Sequence, residues 1–339
     1  MSTAFIHAIH PLQAIEGGRV TIDGGGFSID GALPRVLVGD VEARLVRASP
    51  TSLSIVVPAG AGSGRVPVRV EQAVGSAVYL EIGAPFSTGL HQVDSPVFDR
   101  EGNLYVTYSG TRGQQAPVTI FRVRPDGTRD PFVTAIPNPT SLAVGPDGLL
   151  YVSSRFEGVV YRVDAEGRIE RVAQDLGTPC GLAFDDEGAL LVGDRSGPIH
   201  RLAPDGRRTI LATLPPSVAA FHLAWGPGAG GGARALYVTA PTLGSRDALY
   251  RISAGGDVEI VRSGFGRPQG LAFDARGRLY VAEALAGAGG LYRVDLGEPG
   301  APAALVLAAP SLVGVAFDPH GGFVVTTPDT AYRFPGAAG

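Results

Sequence analysis

The chain has 339 residues, 45% hydrophobic and 18% charged, which suffices for two domains with buried cores and is too apolar for a disordered chain. A net charge of −4 gives no basic footprint for nucleic acid, and no run of about 18 apolar residues suggests a membrane span. The 49 glycines and 27 prolines predict many turns and therefore many short strands. All 28 basic residues are arginine, which reads as the bias of a high-GC, bacterial genome. One cysteine, Cys180, excludes an intrachain disulfide framework and leaves the redox compartment open. The stretch Met1 to His7 lacks the basic and then apolar regions of a signal peptide, so a cytoplasmic protein is expected; a secreted chain trimmed of its leader would read the same.

In chain order, the first 82 residues hold period-two alternation bounded by Gly and Pro. Arg19 to Asp23, Arg35 to Val38, Ser52 to Pro58 and Arg65 to Val70 each read as a strand, and together they predict a small β-sandwich. Gly24, Gly25 and Gly26 lead into Phe27 with no helical pattern behind them, so they read as turn residues rather than a phosphate loop, with Phe27 plugging one end of the sandwich. The ordered features Pro11, Gly17-Gly18, Val20-Thr21-Ile22, Gly24 to Phe27, Val38-Gly39 and Val57-Pro58 resemble the IPT/TIG immunoglobulin-like domain across about residues 4–82. That resemblance implies a spacer or adhesion module without a catalyst of its own.

From residue 83 to 339 the texture changes to six copies of one pattern, an apolar run, a Gly-bearing polar turn and a second apolar run. The copies open near Val97, Leu142, Leu182, Leu223, Leu271 and Val315, so the period lies near forty residues, the mark of a propeller or solenoid. Each continues into a third strand carrying arginine, at Arg122, Arg162, Arg201, Arg251, Arg293 and Arg333, and then in most copies into a fourth. Four strands in six units predict a six-bladed β-propeller, all-β like the sandwich before it. The arginines recur in every copy, which assigns them a structural task, pairing with acidic turn residues or turn carbonyls. The last copy stops after its third strand, and the segment from about Ile82 to Val93 is expected to supply the missing outer strand and close the ring.

Chemistry in such a ring belongs at the channel mouth, where loops from every blade converge. Before each innermost strand stand Asp94, Thr140, Cys180, His222, Gln269 and Val313; after each second strand stand Tyr108, Arg155, Asp194, Thr239, Glu283 and Thr327. These positions differ from blade to blade, as a specific site requires. Asp94, Tyr108, Thr140, Arg155, Cys180 and Gln269 are the candidate ligand-binding residues. His222, with Asp194 or Glu283 beside it, is the candidate general base, unless it hydrogen-bonds across the channel. The other histidines, His7, His10, His91, His200 and His320, read as domain-start, strand or turn positions, and Trp225 as core.

The pattern P-x-G-L-A-F-D-x-x-G-x-L-Y-V resembles NHL-repeat proteins and the senescence-marker-protein/gluconolactonase (regucalcin-like) family over residues 86–335. The second resemblance implies hydrolysis of sugar lactones with a divalent cation such as Ca²⁺, held by one Glu, two Asn-type positions and one Asp. Those positions fall on Asp94, near Thr140, and on Cys180 and Gln269. Only Asp94 keeps a carboxylate, which makes it the one weak metal-ligand candidate and the set a poor cage for Ca²⁺, a cation that takes about six to eight oxygens. Cys180, His222 and Asp194 are ligand types that suit zinc, without the paired spacing of a zinc site. The sequence therefore leads to a propeller that binds a small polar molecule such as a sugar or lactone, or a peptide. A lactonase-type hydrolase and a non-catalytic scaffold for partner proteins are the alternatives.

Overall fold

The structure, a computed structural model, describes residues 3–71, 73–75, 77–244, 246–298, 300–336 and 338. Its N-terminal part is a sandwich of two sheets. One sheet orders the strands Phe5–His10, Arg19–Gly25, Ser52–Val56 and Arg44–Ser49; the other contains Val78–Ile82, Gly64–Val70, Val36–Val38 and Val41–Glu42. Alternation in sequence becomes alternation in burial. In Ser52–Val56, Leu53 and Ile55 are fully buried and meet Val20, Ile22, Val38 and Val68 in one core, with Phe27 among them. Each such side chain removed from water contributes roughly 1.5–3 kcal/mol. The glycines before Phe27 are not all turn residues: Gly24 and Gly25 end the strand Arg19–Gly25. A Cβ on Gly24 would lie 2.1 Å from the carbonyl oxygen of Phe5, so the absent side chain permits the neighbouring strand to approach.

The rest of the chain forms six antiparallel blades around a channel. In each, the second strand is buried along its whole length, as in Leu150–Ser154 and Ala235–Thr239, because it is packed between neighbouring blades on both faces. Outer strands such as Ile169–Ala173 are largely exposed. This explains why the second strands read as continuous apolar runs. The turn between first and second strands shows why its residues repeat. In blade five Asp274 Oδ1 accepts the amides of Arg276 and Arg278 at 3.0 and 2.8 Å, and Gly277 takes φ +73°, a conformation that disfavours a side chain.

The ring closes as expected. Ala84–Thr88 pairs antiparallel with Thr330–Phe334 and becomes the outer strand of blade six, so chain segments far apart in sequence complete one sheet. The third-strand arginines are structural: Arg162 pairs with Glu170, Arg201 with Asp185, Arg251 with Glu259 and Arg333 with Asp318, at 2.5–3.0 Å.

The sandwich is joined to the ring by backbone hydrogen bonds. The two-residue strand Gln13–Ala14 runs parallel both to Val78–Ile82 of the sandwich and to Ala304–Ala308, the outer strand of blade five. One nine-stranded sheet thus passes from the sandwich into the propeller. Beside it the Ile15 amide donates to the Ala308 carbonyl at 3.0 Å, and the fully buried Ile15 side chain packs with Leu307, Leu312 and Phe334.

Candidate functional site

At one mouth of the channel lies a cavity of about 490 Å³. All six blades line it, through Val93, Thr140, Cys180, Ala220, Gln269 and Val313 just before or at the start of the innermost strands, and through residues that follow the second strands. Thr140, Arg155, Cys180 and Gln269 are thus brought together as the sequence suggested. Tyr108 is not on the wall; its ring packs edge-on against His91 with centroids 6.1 Å apart, and His91 is the residue that faces the cavity.

Two lining arginines escaped the sequence reading. Arg155 follows the strand Leu150–Ser154; the equivalent residue after Leu190–Asp194 is Arg195, one position beyond Asp194. Arg267 precedes Pro268 and Gln269 at the start of blade five. For Arg195 the difference is one of phase: the last strand residue, Asp194, turns back, and the next one lines the cavity, as Arg155 and Ala284 do in their blades.

That phase also explains what Asp194 and Glu283 do. Asp194 accepts the Thr178 amide at 3.0 Å, the Ser196 amide at 3.1 Å and the Ser196 hydroxyl at 2.6 Å. Glu283 accepts the amides of Gly266, Arg267 and Leu285 at 2.7–2.8 Å. Both carboxylates therefore hold the loops together, and neither partners His222. Gly177 must lack a side chain here, since it takes φ +67° and a Cβ would sit 2.4 Å from an Asp194 oxygen.

His222 instead reaches across the channel. Its Nδ1 lies 2.6 Å from Asp94 Oδ1, joining blade four to blade one, and the imidazole is fully buried. Asp94 Oδ1 also accepts the Ser95 amide at 2.6 Å. In the neutral imidazole with Nδ1–H donating to the carboxylate, Nε2 is an acceptor, and it meets no partner among the described residues. Neither residue lines the mouth; Asp94 lines a second cavity of about 470 Å³ at the other end of the channel. That second cavity is lined mainly by apolar residues of the innermost strands, including Trp225, which also packs against the core between blades three and four.

The mouth is electropositive. No Asp or Glu lines it among the described residues, whereas Arg155, Arg195 and Arg267 do. Burial, and then the charges of Arg195 and Arg112, hold the Arg155 guanidinium below its ordinary pKa, while burial and then Arg155 lower His91. Burial pushes the Cys180 thiol up to about 12, so it stays protonated and is neither a nucleophile nor a thiolate ligand at neutral pH. The donors suggested for a metal do not converge: among the described residues no three His, Cys, Asp or Glu side chains form a metal-sized cluster. A Ca²⁺ or zinc ion does not fit this set.

Residues 4–81 match the IPT/TIG domain family. No curated protein matches the chain in sequence. Among solved structures the chain is similar to a gluconolactonase from Xanthomonas campestris, at 17% identity and TM-score 0.60 over 90% of this chain and 98% of that one. It is similar over 99% of both chains to an auxiliary nutrient binding protein from Bacteroides ovatus, at 16% identity and TM-score 0.55. A third is a virginiamycin B lyase from Staphylococcus aureus, a catalytically inactive histidine-to-alanine variant with quinupristin. It has 14% identity and TM-score 0.51 over 98% of this chain and 94% of that one. At these identities the likeness is one of fold.

Proposed function

We propose that the protein is a ligand-binding β-propeller that takes a small polar molecule into the mouth cavity beside Thr140, Arg155 and Gln269. The observation that carries this reading is a cavity of about 490 Å³ walled by all six blades and mixing hydrogen-bonding with apolar side chains. A volume of that order suits a ligand of sugar size. The nutrient-binding neighbour supports the same reading. Calorimetric titration with a panel of sugars, sugar lactones and short peptides tests it, beside Val218→Trp, which adds bulk at an exposed residue of the cavity wall. Binding that Val218→Trp removes is the expected result. Binding indifferent to that substitution rejects the mouth as the site.

Hydrolysis of a lactone or ester is the second reading, and the Asp94 and His222 pair favours it, since a carboxylate on Nδ1 leaves Nε2 able to take a proton. The gluconolactonase neighbour adds to it. A hydrolysis screen with and without divalent metals, run on the wild type, His222→Ala and Asp94→Asn, tests this reading. Absence of turnover under all conditions, or turnover unchanged in both variants, removes it.

A further inference from the structure

We infer that the ligand of the mouth carries a carboxylate or phosphate group, seated among Arg155, Arg195 and Arg267. The inference rests on reading the mouth as the ligand site and specifies the ligand's charge.

Three guanidinium groups from blades two, three and five line one cavity, and none of them forms a salt bridge among the described residues. The contrast with the third-strand arginines is informative, because Arg162, Arg201, Arg251 and Arg333 all meet carboxylates. Arg155 and Arg195 are aimed rather than neutralised. Arg155 Nη2 donates to the Gly110 carbonyl at 3.1 Å and Arg195 Nε to the Ser217 carbonyl at 3.2 Å. Each contact uses one of five N–H donors and leaves the others for a ligand, in the planar fork that matches carboxylate and phosphate oxygens.

The nearby acids do not supply those oxygens. Asp194 and Glu283 point back to the loop amides, and Asp94 is held by His222 and the Ser95 amide. An entering anion therefore meets donors on the wall and acceptors only behind it. Burial first, and the neighbouring arginine charges after it, lower the pKa of Arg155 and of His91, so positive charge is crowded here as the geometry shows. Beside the arginines the wall offers polar side chains such as Thr140 and Gln269 and apolar ones such as Val93, Val218, Val313 and Pro328, a mixture that suits an organic anion rather than a bare inorganic ion.

Three probes of one shape separate charge from size: glucose, glucuronate and glucose 6-phosphate, titrated by calorimetry into the wild type, Arg155→Gln, Arg267→Gln and Val218→Trp. Circular dichroism checks that each variant folds; Arg267→Gln is the safer substitution, because that side chain is exposed and makes no hydrogen bond among the described residues. The expected result is that at least one anionic probe binds more tightly than glucose and weakens with added salt. Each arginine substitution should then cost about tenfold to a hundredfold in affinity for that anion. A preference of glucuronate over glucose 6-phosphate, or the reverse, identifies the group. The inference is overturned if neither anion binds at millimolar concentration, or if glucose binds as well as its anions. Glucose binding that Val218→Trp abolishes would overturn the charge assignment and leave the mouth as the site. Anion binding unaffected by all three substitutions would overturn both.

Discussion

At the scale of single residues, His200 shows how a substitution within the repeat alters the protein's response to pH. Its counterparts in the other blades are Phe121, Tyr161, Tyr250, Tyr292 and Tyr332, all aromatic rings without a basic nitrogen. In the folded protein His200 is buried, Nδ1 has no partner among the described residues, and burial and then Arg208 lower its pKa below the ordinary 6.5. The unfolded chain therefore takes up a proton before the folded one does. Stability is complete above 6.5 and falls as pH drops from there toward the lower folded value. His91, lowered in the same direction, adds to the effect. Thermal melts between pH 7 and pH 5 should show the wild type losing stability and His200→Phe losing less of it. Equal slopes for the two proteins would rule out the role assigned to His200.

At the scale of the element, the loop between second and third strands decides which side chain faces the channel. Glu283 ends its strand by gathering three amides, which fixes Arg267 and releases Ala284 toward the mouth. Glu283→Ala should cost roughly 3 kcal/mol in urea unfolding, since hydrogen bonds to charged acceptors are among the stronger ones. Glu283→Gln should cost less, because its one remaining carbonyl oxygen can still serve the Arg267 and Leu285 amides. A loss below about 0.5 kcal/mol in Glu283→Ala would mean that the loop holds its shape without the carboxylate. This element also marks the limit of what could be read without coordinates. Apolar runs and Gly-bearing turns made the blades legible, since the continuous burial of a central strand and the chemistry of its turn are local properties. Whether Asp194 or Arg195 faces the channel depends on a one-residue phase at a strand end, and composition does not encode it. The partner of His222 was illegible for a different reason: Asp94 lies 128 residues away, and only closure of the ring brings the two together.

At the scale of the whole molecule, two joints give the chain its unity: the strand Ala84–Thr88 in blade six, and the sheet that runs from sandwich to blade five. Asp318 is almost wholly buried beneath Arg333, which also donates to the Pro125 carbonyl of blade one. Arg333→Ala leaves that carboxylate unpaired and should cost on the order of 3 kcal/mol, read from denaturant unfolding. At the other joint, a Cβ on Gly18 would stand 2.3 Å from the Ala308 carbonyl oxygen, against the hydrogen bond from Ile15. The wild type should then melt in one calorimetric transition, and Gly18→Val, its domains parted, in two. A single transition in that variant would show that the shared sheet does not couple them.

The Asp94 and His222 contact has a mechanical meaning as well as a chemical one. Blades one and four stand half a turn apart, so the pair is a brace along a diameter, whereas strand closure acts only along the circumference. A hoop fastened at its rim alone can flatten into an oval. With its diameter fixed just below the mouth, the aperture keeps its roundness, and the three guanidinium groups above it keep their spacing.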